Sequence, residues 1–277
     1  MPTTSTHLTP TSRSEAIEMF TSNDSLTVFG GGTVLMPEIN LDRFDPSGVM
    51  FMHRSGLKGV HVAEQSVTVG AATTLEELSL HGPEPLRSAA SLVADPEVRR
   101  LATVGGNLSV LYPGDLQAVL MALDTSVTYV GANGESVDPV VTYMDRLRSG
   151  ERLLALDLSF HLPSQSSYVR LDRPHAHAYT TMAVTVVLYG GEARVTAKGA
   201  DARCIHLPSV EEALARGADP ETAAASSVQD ANPVDDTLAS AWYRRRVLPE
   251  LVRQAIEQAL ESPASRLAPS QENGSEA

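Results

Sequence analysis

Cysteine is nearly absent from this sequence: Cys204 is the one cysteine among 277 residues. A single thiol excludes a disulfide within the chain. It also excludes an iron–sulfur cluster or a four-cysteine zinc site whose ligands all come from this chain. We interpret Cys204, which precedes Ile205, as a packed thiol and not as a nucleophile.

Basic residues and long apolar runs are also scarce. The chain has 21 Lys and Arg residues against 34 Asp and Glu residues, a formal net charge of −13. This balance argues against a general surface for nucleic acid or anionic membranes, because both need basic patches. No apolar run approaches the roughly 20 residues of a membrane span, and the Thr- and Pro-rich start has no hydrophobic core. We therefore expect a cytoplasmic protein that binds neither nucleic acid nor membranes.

The length predicts about two domains, and an apolar content of 42% is that of an ordinary globular protein. The clustered Pro, Ser and Gln residues at 163–167 suggest a linker. We expect a flexible tail over 1–12, a first domain over 13–165 with parts at about 13–60 and 61–165, a second domain over 166–262, and a disordered tail over 263–277.

Local signals predict several elements. Thr73 and Thr74, followed by Glu76 and Glu77, predict a helix start of the capping-box type. Gly190 and Gly191 predict a hairpin between two runs of β-forming residues. Residues 240–260 have a helical pattern, in which Pro249 predicts a break or a kink.

Two glycine-rich loops stand out. The first consists of Val28, Phe29, Gly30, Gly31, Gly32, Thr33, Val34 and Leu35. The second consists of Thr103, Val104, Gly105, Gly106 and Asn107. Glycine allows backbone N–H groups to approach a ligand closely, and such groups bind phosphate. Two loops of this kind on separate βα-like units predict that one diphosphate-bearing ligand is held between them.

Other polar residues have less specific interpretations. Asp115 precedes an apolar helical pattern, a position that allows it to be a helix N-cap, a ligand contact or both. His175 and His177 lie on one face of a strand, but two imidazoles are short of a full ligand set, so we expect no metal site. The run Arg244–Arg246 indicates a solvated helix face or a subunit contact, with a phosphate patch as the alternative. No nucleophile triad or P-loop lysine supports a hydrolase or an NTPase.

Taken in order, these motifs resemble the FAD-binding medium subunits of the molybdenum hydroxylases, such as carbon monoxide dehydrogenase and the xanthine dehydrogenase and aldehyde oxidase group. The matching segments are 30–36 (the first glycine loop), 99–107 (the RNxATxGGN segment), 113–124 (the PxxDLxPaLlALDA segment), 168–184 (the start of the C-terminal domain) and 240–245 (the SAxYRR helix). The resemblance spans about 14–261, which makes it more specific than either loop alone.

The resemblance implies an α+β fold. An FAD-binding domain of two α/β subdomains, like that of vanillyl-alcohol oxidase, would precede a small α+β domain with a three-stranded antiparallel sheet and helices. The two glycine loops would bind the pyrophosphate and ribityl parts of FAD, and Asp115 would accept a hydrogen bond from one of its hydroxyls. Arg170 falls at or beside a family lysine near the flavin, where its charge could stabilise the reduced form; a surface salt bridge is the alternative.

The resemblance also implies an electron-transfer subunit without catalytic residues of its own. Electrons would come from iron–sulfur clusters on a small partner subunit, reduced by a molybdopterin-containing large subunit, and pass to NAD+, dioxygen or another acceptor. Departures from the family pattern around 170–177, such as Arg170 in place of a lysine and the histidines at 175 and 177, keep a second hypothesis open. This alternative is a stand-alone FAD-dependent dehydrogenase or oxidase in a biosynthetic pathway. A scaffold that binds no flavin is a third possibility.

Overall fold

The computed structural model of the protein describes residues 6–173 and 180–263. The two histidines at 175 and 177, and the expected tail beyond residue 263, lie outside the described residues. Within the described part, no helix has both the length and the apolar character needed to cross a membrane.

A small parallel sheet forms the first part of the chain. Its strands are β1 (Thr6–Leu8), β2 (Leu26–Phe29) and β3 (Gly48–Phe51), in the order β1-β3-β2, and helices α1 (Arg13–Ser22) and α2 (Leu35–Asn40) connect them. The expectation of a flexible tail over 1–12 is wrong for residues 6–8, which pair with β3. Leu8 packs against the core of this part, so a contact far along the chain orders a segment without local signals.

Strands β2 and β3 end at the same edge of this sheet. Phe29 pairs with Phe51, and their rings meet edge to face at 5.1 Å between centroids. Because parallel strands run in one direction, the glycine loop after Phe29 leaves from the carboxyl edge of the sheet.

The second part is built on a five-stranded antiparallel sheet. The strands are β4 (Val60–Ala63), β5 (Ser66–Gly70), β6 (Ser126–Gly131), β7 (Gly134–Pro139) and β8 (Leu154–His161), in the order β4-β5-β8-β6-β7. The helices are α3 (Leu75–His81), α4 (Leu86–Leu92), α5 (Pro96–Leu101), α6 (Val104–Leu108), α7 (Asp115–Ala122) and α8 (Val140–Arg148). Helix α3 begins with the capping box that Thr74 and Glu77 predict. Helix α7 is buried from Leu116 to Ala122, as its apolar sequence requires.

The C-terminal part has strands β9 (Gln165–Asp172), β10 (Thr180–Tyr189), β11 (Glu192–Lys198) and β12 (Ile205–His206), followed by helices α9 (Pro208–Ala215), α10 (Pro220–Ala225) and α11 (Ala241–Glu261). The described strands form an antiparallel sheet in the order β12-β11-β10-β9. The expected three strands are therefore joined by a fourth, the two-residue β12, which pairs with β11 at Thr196 and Ala197. The hairpin at Gly190 and Gly191 is confirmed.

The two faces of this C-terminal sheet pack into different cores. Side chains that point one way, among them Tyr168, Ala183 and Val187, join the core of the second part around α7. Those that point the other way, among them Val184 and Val195, pack beneath α9, α10 and α11. Alternate strand residues point to opposite faces, so one sheet holds the C-terminal helices on the rest of the molecule.

Candidate functional site

The first glycine loop lies directly on the chain that enters the second loop. A Cβ atom added to Gly31 would overlap the carbonyl oxygen of Leu101, and one added to Gly30 would lie 2.6 Å from Oγ1 of Thr103. Side chains at these positions would separate the loops. The structure thus brings together the two loops that the sequence singles out, as the predicted shared ligand site requires.

Backbone donors are free in the first loop. The N–H groups of residues 30–34 make no hydrogen bond to any residue in the described ranges. Gly30, Gly31 and Thr33 are partly exposed, and the chain turns at Gly32, whose φ is +72°. A run of N–H groups without acceptors among the described residues suits an anion such as a diphosphate. Val28, Phe29 and Leu35, the remaining predicted residues of this loop, are partly buried at its two ends.

The second loop uses its N–H groups within the protein. Val104 donates to the carbonyl of Thr73 at 2.9 Å, and Gly105 donates to that of Ala71 at 2.8 Å. Thr103 caps α6, since its Oγ1 accepts from Gly106 N–H at 3.1 Å. Asn107 N–H donates to the carbonyl of Thr103. This loop therefore differs from the first. It has no row of free backbone N–H groups, and a ligand could contact it through its side chains or by close approach to its backbone.

Gly105 and Gly106 have different surroundings. Gly105 is buried, and an added Cβ would lie 2.9 Å from both the Cβ and the carbonyl oxygen of Ala71. Gly106 is exposed, and an added Cβ would approach only Oγ1 of Thr103, within its own turn. Gly105 is therefore required for packing, and Gly106 is the position of the pair where a ligand could come close.

Asp115 lies beside the second loop, in the first turn of α7. The N-cap of this helix is Gly114, so the N-cap interpretation of Asp115 is wrong. Oδ1 of Asn107 accepts from Leu116 N–H at 3.0 Å, which ties α7 to the loop. Oδ1 of Asp115 accepts from Nζ of Lys198 at 2.6 Å. The sequence analysis missed Lys198, because nothing in its surroundings signals a partner on α7.

Arg170 is held by an ion pair and a backbone contact. Its Nη2 lies 2.7 Å from Oδ2 of Asp172, and its Nη1 donates to the carbonyl of Leu92 at the end of α4. The guanidinium thus connects the C-terminal sheet to the second part of the chain. This arrangement agrees with the salt-bridge alternative, although the side chain is mostly buried.

Two further groups lie close to Asp115. Burial raises the pKa of the Tyr168 hydroxyl, the negative charge of Asp115 adds to that rise, and the hydroxyl has no hydrogen-bond partner in the described chain. Burial also raises the pKa of the Cys204 thiol to about 12. This thiol is therefore protonated at neutral pH, and its interpretation as a packed group is confirmed.

The comparison with protein families decides the assignment. The family described as the FAD binding domain in molybdopterin dehydrogenase matches residues 3–160. The chain belongs to this family. Its FAD-binding domain and the relatives below confirm the predictions of an α+β fold, of FAD as cofactor and of an oxidoreductase subunit.

Similar proteins cover most of the chain. It is 27% identical to the alpha subunit of the 6-hydroxypseudooxynicotine dehydrogenase complex of Paenarthrobacter nicotinovorans, over 86% of this chain and 88% of that protein. It is 24% identical to the carbon monoxide dehydrogenase medium chain of Hydrogenophaga pseudoflava, over 84% and 88% of the two chains. A solved structure of carbon monoxide dehydrogenase from Hydrogenophaga pseudoflava shares the fold, with a TM-score of 0.81, 21% identity and coverage of 95% and 100%.

The residues of the first loop fit FAD. Its diphosphate carries negative charge and needs donors, and the N–H groups of 30–34 have no acceptor among the described residues that would compete for them. Within residues 6–173 and 180–263, no group of three or more His, Cys, Asp or Glu residues could hold a metal ion.

Proposed function

We propose that this chain is the electron-transfer subunit of a molybdenum hydroxylase-type oxidoreductase. It binds FAD non-covalently, takes electrons from iron–sulfur clusters on a small partner subunit, and passes them to an external acceptor. The observation that carries the proposal is the row of free N–H groups at 30–34, packed against the second glycine loop.

Each loop has its own part in the proposed site. Residues 30–34 hold the diphosphate through backbone N–H groups, with Val28, Phe29 and Leu35 supporting the loop. Thr103–Asn107 and Asp115 face the ribityl chain. FAD supplies the redox chemistry when it is bound, and the protein supplies binding, orientation and charge. The division into an FAD-binding domain over 13–165 and a C-terminal domain over 166–262 follows from the same assignment.

Partner subunits follow from the chemistry that this chain lacks. A single buried cysteine cannot hold an iron–sulfur cluster, so the electrons must come from clusters on another chain. Two of the similar proteins are named as a subunit of a dehydrogenase complex and as a medium chain. We propose a small iron–sulfur subunit and a large molybdopterin subunit as the partners.

Absorbance spectra of the purified chain test this function. We expect the chain alone to bind FAD in a 1:1 ratio and to show a flavin spectrum. Under anaerobic conditions this spectrum should bleach only when the two partner subunits and their reducing substrate are present. Free FAD with the same partners and substrate is the control.

Two outcomes would contradict the proposal. Direct bleaching by a small molecule, without partners, would establish the stand-alone dehydrogenase or oxidase. A colourless chain that takes up no FAD on titration would leave a scaffold without flavin as the remaining hypothesis. No finding from the similar proteins favours either alternative.

A further inference from the structure

Lys198 reaches from the C-terminal sheet to the mouth of the proposed FAD site. It ends β11, and its Nζ lies 2.6 Å from Oδ1 of Asp115, with exposed side-chain fractions of 14% for Lys198 and 18% for Asp115. A cation at the N-terminus of a helix is unfavourable, because the helix dipole is positive there. The carboxylate of Asp115 offsets this repulsion at the start of α7.

Both partners of this pair keep hydrogen-bonding capacity. An ammonium group has three donors, and a carboxylate has two acceptor oxygens. In the described chain the contact with Asp115 is the single hydrogen bond of Nζ, and Oδ2 of Asp115 accepts none. The pair therefore has the capacity to bind a further group that both accepts and donates, such as a hydroxyl.

Arg170 and Lys198 lie on the same face of the sheet, on either side of Ala183. Ala183 pairs with Arg170 on β9 and with Lys198 on β11. The two cations differ in their contacts, because Asp172 and the Leu92 carbonyl engage two nitrogens of Arg170. Lys198 is the cation of this row that touches a residue of the proposed FAD site.

Strand β11 also fixes the rest of α7. Thr196 Oγ1 donates to the carbonyl of Ala118 at 2.7 Å, and Arg194 pairs with Asp124 just beyond the helix end at 3.2 Å. Arg194, Thr196 and Lys198 alternate along the strand, so all three point to one face. The Arg194 pair is the same kind of strand-to-helix contact, at the opposite end of α7 from the glycine loop.

We propose that Lys198 is a positioning residue for FAD: it orients Asp115 across the domain boundary, so that the free carboxylate oxygen accepts a hydrogen bond from a ribityl hydroxyl. This inference rests on the proposed function. Lys198 keeps Asp115 in one geometry before the cofactor arrives, which lowers the ordering cost of binding. An oriented carboxylate is also a stronger acceptor than a neutral group.

Affinity measurements on the flavin-free full chain test this proposal. We expect Lys198→Met to weaken FAD binding about tenfold or more, and Lys198→Arg to restore most of that loss. Binding of ADP, which has no ribityl chain, should change less than twofold. In an Asp115→Asn background, Lys198→Met should have little further effect, because the two residues act as one unit. Arg194→Met is the matched control and should leave FAD affinity unchanged.

Two results would overturn the proposal. Equal losses of ADP and FAD affinity in Lys198→Met would show a general loosening of the fold. Unchanged FAD affinity in Lys198→Met, with or without a lower melting temperature, would remove Lys198 from the site. Failure of the unmodified chain to bind FAD would instead contradict the proposed function, which keeps the two failures distinguishable.

Discussion

At the scale of single residues, Gly31 and Gly106 are glycines for different reasons. Gly31 has no room for a side chain, because the carbonyl oxygen of Leu101 occupies the place of its Cβ. Gly106 is exposed at the first turn of α6, where a methyl group would meet only Thr103 of the same turn. The first glycine therefore serves the packing of the two loops, and we propose that the second lets a ligand come close.

This difference predicts unequal effects of alanine on stability. Gly31→Ala should destabilise the flavin-free protein by about 1–3 kcal/mol, because overpacking forces the loops apart, and it should weaken FAD binding as well. Gly106→Ala should cost the flavin-free protein less, since only Oγ1 of Thr103 must shift and alanine is the better helix former, while FAD affinity falls. Urea unfolding and FAD titration measure the two effects.

Each variant is a control for the other. Normal FAD affinity in Gly106→Ala would remove the second loop from the binding site. Unchanged unfolding in Gly31→Ala would contradict the close packing of the loops.

The site is predictable where chemistry is local in sequence. A glycine run after an apolar strand is a local signal, so the first loop could be singled out from the sequence as a candidate ligand loop. The pairing of Lys198 with Asp115 could not, because 83 residues separate them. The bonding of the second loop to Ala71 and Thr73 is also invisible in the sequence, since it depends on how the connection between β5 and α3 meets the start of α6.

At the scale of elements, helix α11 shows packing overriding a local signal. Pro249 predicts a break or a kink, and no break occurs, because the helix runs through it from Ala241 to Glu261. Its buried face includes Leu248, Val252 and Ile256, which pack against the C-terminal sheet. Burial of each such side chain contributes about 1.5–3 kcal/mol to stability. This is comparable to the roughly 3 kcal/mol that a proline costs inside a helix. Several buried residues therefore keep the helix intact.

Whether a strand can be predicted depends on whether its signal lies in its own sequence. The hairpin at Gly190 and Gly191 has its turn signal in its own sequence, and it forms as predicted. Strands β1 and β12 span only three and two residues. Such short strands exist because a neighbouring strand offers backbone partners, and no periodicity can indicate them.

A buried arginine fixes the start of α11. Nη2 of Arg244 lies 2.7 Å and 2.6 Å from the two carboxylate oxygens of Asp236, and its Nη1 donates to the carbonyl of Thr181 at 2.8 Å. Burial raises the pKa of Asp236, but hydrogen bonds from Ala239, Leu238 and Arg244 outweigh it, so the pKa lies below its ordinary value. This carboxylate therefore stabilises the folded state in its ionised form.

Asp236 should give the protein a measurable sensitivity to acid. Since its pKa is lower in the folded than in the unfolded protein, its contribution is full above the unfolded pKa of about 4. That contribution is lost as the pH falls through the folded pKa. We expect Asp236→Asn to be less stable than the unmodified protein at pH 6, with a smaller difference at pH 3. Urea unfolding at both pH values measures this.

The control is an exposed pair on another helix. Arg216 pairs with Glu212 of α9, and Arg216→Met should change the unfolding midpoint little at either pH. An equal loss of stability in Asp236→Asn at both pH values would contradict the assigned role of the carboxylate charge.

At the scale of the whole molecule, α7 belongs to both domains. It is buried along its length between α4 and the C-terminal sheet. Tyr168, Ala183 and Val187 of that sheet lie in the same hydrophobic core as Leu116 and Leu120 of the helix. The C-terminal sheet thus completes the core of the FAD-binding part, and neither would keep its buried surface without the other.

This shared core predicts one unfolding transition that FAD shifts as a whole. At a free FAD concentration of 100 times Kd, the free energy of unfolding should rise by about 2.7 kcal/mol, or about 5–10 °C in Tm for a chain of this size. Scanning calorimetry with and without FAD measures it. Two separate peaks, of which FAD moves only one, would contradict the shared core.

Two neighbouring threonines test the contact between sheet and helix. Thr196 and Thr185 are buried partners across β11 and β10. Thr196 donates to the carbonyl of Ala118 on α7, whereas the Thr185 hydroxyl has no hydrogen-bond partner among the residues described. Thr196→Val should therefore lower stability by about 1 kcal/mol, and Thr185→Val should leave it equal or raise it, because valine buries no unpaired hydroxyl. Equal effects of the two changes on the calorimetric Tm would mean that the hydrogen bond from Thr196 does not help the sheet to hold α7.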